Sequence, residues 1–500
     1  MFKKLVKVFS IVLAFGMLAG LVVSCGRSSE LSRVSKHLTT YHIEAVFDDE
    51  EKVIEAKEKV EYVNSTGGTL EFVCFHMYPT AFSEDANIKP YALASEVKCF
   101  PSGVDYGDMV IDSVFVEGTE AKTEIVGEDN NALKVWLVEP LENKKSVEIM
   151  IAFKTVLANC THRLGYGDDF VNVGNWYPVA CVFEDGEFDL TPYYSTGDPF
   201  FSECANYEVE FSCPKEYLVS ASGVKTEQAE SEGSQILHFS AKVVRDFALH
   251  LGKNVQVVTG EVEKTEVRVV CSSEDPDAGV YLQTALNAVN VFNEKFGEYP
   301  YETLTVCFTE FLHGGMEFPN LVLVSDSIDD IIDKKKVIVH EIAHQWWYGV
   351  VGNNEVDEAW IDEALAEYST LLYFEQFGED GVSRQSLIDE AKTNYLLYTD
   401  VVTSLDLGLN ESMQLSVNEY SGEYEYVYMV YVKGVIFVDE LRNAVGDEDF
   451  FGGLRRFYKK NKYGIVEKND FVDAFEKESG LELDSFVEEW LGGNVAISEI

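Results

Sequence analysis

Val337-Ile-Val-His-Glu-Ile-Ala-His-Gln-Trp-Trp-Tyr348 sets two histidines four residues apart, with a glutamate between them, in an apolar, helix-patterned stretch. On a helix, residues four apart share one face, so the imidazoles of His340 and His344 point at one place, and Glu341 reaches the side they leave open. H-E-x-x-H is the arrangement of zinc hydrolases, in which the glutamate serves as general base. After His344 come eighteen residues, including a turn-forming Gly349-Val-Val-Gly-Asn-Asn354, and then a second amphipathic stretch, Glu358-Ala-Trp-Ile-Asp-Glu-Ala-Leu-Ala-Glu-Tyr368. Trp360, Ile361, Ala364, Leu365 and Tyr368 follow helical spacing, and burying them carries Glu363 inward. A buried carboxylate needs a cation. His340, His344 and Glu363 are therefore expected to hold one Zn2+ per chain, with a fourth position left for water. Asp357, Glu358, Asp362 and Glu367 read as solvated acids.

The text around this stretch implies a multidomain fold. Between residues 39 and 253, short runs with period-two alternation (41–46, 53–63, 70–77, 147–154, 207–212 and 235–239) are separated by turn residues, which indicates an N-terminal antiparallel β domain. From 254 to 500 the character changes. Strand-like runs at 267–271 and 304–308 are joined by helical patterns at 278–296, 337–350, 359–377, 383–398, 425–443 and 450–463, an α+β, mostly helical catalytic domain.

The first 25 residues form a separate unit. Lys3, Lys4 and Lys7 precede an apolar run over 8–23, which ends in Ser24-Cys25. This resembles a bacterial lipoprotein signal, cleaved before a cysteine that becomes lipidated. Residues 1–25 are thus expected as leader and 26–38 as a polar tether, with an exported chain lipid-anchored to the bacterial cell membrane through Cys25. A net charge of −48 excludes nucleic acid as a partner. The eight remaining cysteines form no C-x-x-C pair and read as small core residues. Oligomeric state is not legible.

A second segment, His313-Gly-Gly-Met-Glu-Phe-Pro-Asn320, precedes the histidine pair. Paired glycines let an extended backbone come close, as when a peptide lies along a strand edge, and Glu317 then faces the cleft. Composition alone fits a turn with a solvated acid equally well. H-E-x-x-H, eighteen residues and Glu, behind a Gly-Gly-Met-Glu, resembles the aminopeptidase N and leukotriene-hydrolase type of zinc metallopeptidase, a gluzincin family with a thermolysin-like catalytic domain. The resemblance extends to Trp360-Ile-Asp-Glu-Ala-Leu-Ala366, Tyr431-Val-Lys-Gly434, Phe75-His-Met-Tyr-Pro79, Gly174-Asn-Trp-Tyr-Pro178 and Arg245-Asp-Phe-Ala248. It implies that Glu317 binds a substrate's free α-amine beside Gly314, Gly315 and Met316, and that Tyr431 donates to the oxyanion. It also implies a second amine-binding group from the β domain, which the sequence does not place. Phe318, Asp362 and Ala364 depart from the family's Asn, Asn and Gly.

The expected function is a membrane-tethered zinc aminopeptidase acting on peptides with a free N-terminus. The alternatives are a zinc endopeptidase with an open cleft and a non-catalytic peptide-binding lipoprotein.

Overall fold

The computed structural model describes residues 30–378 and 381–497. The expected leader, Cys25 and the start of the tether lie outside the described residues. The rest of the expected tether is corrected: a helix at Glu30–Val34 runs into a 3-10 turn at Ser35–His37. Asn206 Nδ2 donates to Ser35 O at 2.9 Å and Leu31 packs on the core, so this segment belongs to the body.

An eight-stranded sheet runs, in spatial order, through Val224–Glu230, Ser234–Val244, Ala205–Pro214, Thr40–Asp48, Val53–Val63, Ser146–Val156, Asp108–Val116 and Thr119–Glu120. Alternation explains it: along Val53–Val63 the side chains of Ile54, Ala56, Val60 and Tyr62 enter the core and their neighbours face out. One pair departs from the antiparallel expectation. Thr40–Asp48 lies parallel to Ala205–Pro214, a pairing that needs a long crossover, here everything between the two strands. Two four-stranded sheets pack with it.

A five-stranded sheet follows, ordered Val255–Val262, Thr265–Ser272, Thr303–Thr309, Leu321–Ser325 and Gly315–Met316. Its last strand is a two-residue edge, antiparallel to Leu321–Ser325. The helices Ala278–Lys295, Ile331–Ala343, Trp360–Phe377, Arg384–Ser404, Gly434–Val445 and Asp447–Asn461 carry the rest of this half.

Three helical expectations change. The histidine-bearing helix starts earlier and ends earlier than 337–350, because Asp330 accepts from Ile332 N and Asp333 N at its start. At its end Gly349 N returns to His344 O, and Tyr348 takes φ +100°. The pattern over 425–443 resolves into a turn of α-helix, a π-helix at Val427–Lys433 and the helix Gly434–Val445. Lys468–Ser479 and Asp484–Leu491 add two short helices that the sequence pattern did not reveal.

Buried Arg245 joins the two halves. Nε donates to Tyr348 O at 2.7 Å, Nη1 to Ser202 O at 2.9 Å, and Nη2 to Gly464 O.

Candidate active site

The helix Ile331–Ala343 presents His340 and Glu341 on its last turn, and His344 is its C-terminal cap. The helix Trp360–Phe377 buries most of its surface, which places Glu363 inside. His340 Nε2 and His344 Nε2 lie 3.0 Å apart, and Glu363 Oε2 lies 3.2 Å from the first and 3.3 Å from the second. Tetrahedral zinc with bonds near 2.05 Å separates its ligand atoms by about 3.3 Å, so this triangle has the right edges for it.

The surroundings make the three atoms acceptors. His344 Nδ1 lies 3.1 Å from Trp347 O and 3.7 Å from Asp362 Oδ2, and His340 Nδ1 lies 3.2 Å from Glu367 Oε1. Such partners hold the proton on Nδ1 and leave Nε2 bare. Glu363 Oε2 is buried with no hydrogen-bond donor. Burial alone would raise its pKa, but positive charge at the His344 and His340 rings, as in the protonated metal-free site, lowers it to about 2, so the carboxylate is the ionised form wherever a cation sits there. Three acceptors turned on one point fit a cation, and the donor set of two imidazoles and a carboxylate fits zinc.

Three acids read as solvated are corrected here, the first being Glu358, half-buried and accepting from Lys468 N at 3.2 Å. Asp362 is 1% exposed and accepts from Asn353 Nδ2 at 2.8 Å. Glu367 is half-buried against His340. The neighbouring Glu355 is also fully buried, with both carboxyl oxygens lacking a donor.

Glu341 is buried with Oε2 unpartnered, and burial, reinforced by Glu363 and Asp198 against the two histidines, pushes its carboxyl up to about 7. Gly315 lies against it: a Cβ there would collide with the Glu341 carboxylate, so only glycine lets the edge strand come so close. Gly314, Gly315 and Glu317 line one cleft with the three ligands and Tyr431. Glu317 is 3% exposed with Oε1 unpartnered, and burial, with Asp198 beside it, raises its pKa well above the carboxylate range. Met316 does not line the cleft. It points the other way, fully buried, with its Sδ 2.9 Å from Arg163 Nε. This corrects its expected place among substrate-contacting side chains, because strand alternation sends it to the opposite face from its neighbours.

Tyr431, on the π-helix, donates its hydroxyl to Glu363 Oε1, and its ring stacks on His340 at 5.9 Å between centroids. Gly434, which ends that motif, packs on Ala364: a Cβ there would sit 2.8 Å from the Ala364 Cβ.

The β domain supplies what sequence reasoning missed. Arg163 and Asp198 line the same cleft and form a buried ion pair, and Arg163 also lies 3.4 Å from Tyr193 Oη and 3.2 Å from Gly197 O. His313 lines the cleft too, with Nε2 3.4 Å from His162 Nε2. The landmarks of the resemblance in the β domain act as braces: Trp176 Nε1 donates to Phe247 O at 3.0 Å, and Asp246 accepts from Asn175 and Tyr177 at 2.8 Å. All eight cysteines in the described residues are buried free thiols.

Residues 280–490 match the peptidase family M1 domain. Aminopeptidase N of Lactobacillus delbrueckii subsp. lactis is 27% identical over 232 residues, 42% of this chain and 26% of that protein. Tricorn protease-interacting factor F2 of Thermoplasma volcanium is 22% identical over 329 residues, 61% of this chain and 41% of that protein. The chain thus spans less than half the length of these relatives. An M1 zinc metallopeptidase mutant from Deinococcus radiodurans superposes with a TM-score of 0.64 at 17% identity, covering 92% of this chain and 95% of that one. A structure of such a mutant bound to a Tyr-Ser-Ala substrate superposes at 0.63 with 16% identity, covering 92% and 94%.

Proposed function

We propose that this chain, an M1-type zinc metallopeptidase of the aminopeptidase N kind, removes amino-terminal residues from peptides. The observation that carries the reading is Glu317, a buried carboxyl with an unpartnered oxygen, opening into the same cleft as the three metal ligands. A buried carboxyl with an open acceptor oxygen ionises when a cation settles against it, and a free α-ammonium is the cation a peptide brings. With Glu317 holding the ammonium and the ligand set marking the scissile carbonyl, cleavage falls one residue from the end. Asp198 lines the same cleft from the β-domain side, with Oδ1 held by Arg163.

Bound zinc supplies a water of lowered pKa and polarises the carbonyl. The chain's own groups do the rest. Glu341 Oε2 takes a proton from the attacking water and returns it to the leaving nitrogen. The Tyr431 hydroxyl, now on Glu363, turns to the carbonyl oxygen as charge develops there. The edge strand Gly315–Met316 offers backbone groups along which an extended peptide lies.

We also place the protein outside the cell, tethered through Cys25, on the strength of Lys3, Lys4, Lys7, the apolar run and Ser24-Cys25. An alanyl anilide and its N-acetylated form test the peptidase reading. The free amine is expected to turn over far faster than the acetylated form, and equal rates for both would make the enzyme an endopeptidase.

A further inference from the structure

Acids outnumber Lys and Arg by 87 to 39 along the chain, yet one surface hollow has no acid in its lining, and the acid at its rim, Glu203, accepts from Ser65 at 3.2 Å. Lys36 and His37, from the helical segment that opens the described chain, line it together with Asn64, Asn143, Lys144 and Lys145. Lys144 and Lys145 are held in place: Lys144 N donates to Asn64 O at 2.8 Å, and Asn64 N to Lys145 O at 2.9 Å. All three lysines are exposed, and none makes an ion pair among the described residues. At the other end of the same segment, Glu30 meets Lys462 at 3.4 Å, just beyond a helix whose last turn carries Lys459 and Lys460, the latter paired with Asp470 at 2.9 Å.

Gly26, Arg27, Ser28 and Ser29 alone separate Glu30 from Cys25, and five peptide units reach at most about 18 Å. On the lipid-anchor reading, on which this inference rests, that basic face is held close to the bilayer. Charges farther away than a Debye length, about 8 Å in physiological salt, are screened. The overall acidity is then largely hidden from the membrane, and the local sign decides.

We propose that this face is a docking surface for an anionic bilayer, with phosphate-bearing lipid headgroups settling among Lys36, His37, Lys144 and Lys145. The body is then seated in one orientation instead of swinging from its anchor. None of these four residues lines the catalytic cleft.

The test uses the lipidated full chain on vesicles of phosphatidylcholine with and without phosphatidylglycerol, with lysine acetylation read by mass spectrometry. Lys36, Lys144 and Lys145 are expected to react severalfold more slowly on the anionic vesicles, with exposed Lys225 unchanged and the protection lost in high salt. Lys36→Glu combined with Lys145→Glu is expected to abolish the protection of Lys144. Flotation with both vesicles but equal labelling would overturn the docking surface alone. An unmodified Cys25 with no flotation would overturn the anchor and the docking surface with it. Equal protection by inorganic phosphate without vesicles would overturn the bilayer as occupant.

Discussion

His340, His344 and Glu363 are legible because a metal imposes fixed spacing: four residues along one helix, and one buried acid on the next. Glu341 comes with them. Glu341→Gln is expected to keep stoichiometric zinc while kcat falls by about a hundredfold or more, the scale of a lost general base. Zinc analysis and steady-state rates on one preparation check this, and near-wild-type turnover would remove Glu341 from the proton path. Tyr431 is different, since four tyrosines crowd residues 424–431 and only the resemblance singles it out. Tyr431→Phe is expected to cost about tenfold to a thousandfold in kcat with zinc retained. Arg163 and Asp198 have no sequence signature at all, because they meet across 35 positions through the folding of the β domain, and Arg163 also reaches a sulfur 153 positions away in the other half. Glu317→Gln is expected to lower kcat/KM for free-amine substrates by about tenfold to a hundredfold, as when a charged hydrogen bond is lost. The slow rate on acetylated substrates should stay as it is, and a parallel loss on both would place Glu317 outside amine recognition.

Apolar periodicity located most helices near the site but not their ends, which depend on capping and on where neighbouring chain returns. The histidine helix stops at Ala343 because Gly349 N takes the His344 carbonyl. The π-helix at Val427–Lys433 was also invisible: one extra residue per turn leaves an apolar run apolar. Its local brace is Lys433, fully buried, which donates to Glu411 O at 2.5 Å. The edge strand is the element on which peptide binding turns. Gly315→Ala forces the strand and the Glu341 carboxylate apart, and a displacement near 1 Å at reacting groups costs about a hundredfold in rate. Little change in thermal stability is expected, since the strand is a two-residue edge. Unchanged kcat/KM would show that Glu341 yields without consequence.

The division into a sheet-rich half and a helical half follows from a change of hydrophobic period from two to 3.6, whereas the contacts that lock the halves together do not. The parallel pair of Thr40–Asp48 with Ala205–Pro214 and the Arg245 clamp join segments far apart in sequence, where no local pattern reports them. The molecule also buries neutral histidines. Burial lowers His250 to about 4, and its Nδ1 lies 3.0 Å from Asn172 Oδ1. Unfolded, the ring takes up a proton near pH 6.5, so its contribution is complete above that pH and is lost as pH falls towards 4. Relative to His250→Gln, the wild type is expected to lose roughly 3 kcal/mol of stability over that window, read from denaturant melts at each pH. Parallel pH profiles would show that the ring is not held neutral. Whether the whole assembly is a zinc peptidase is tested most directly by anilide hydrolysis on one sample, first as purified, then after chelation, and then after return of one equivalent of zinc. Activity that vanishes on chelation and returns with one zinc per chain is the predicted result, and turnover that survives complete removal of the metal would contradict the account.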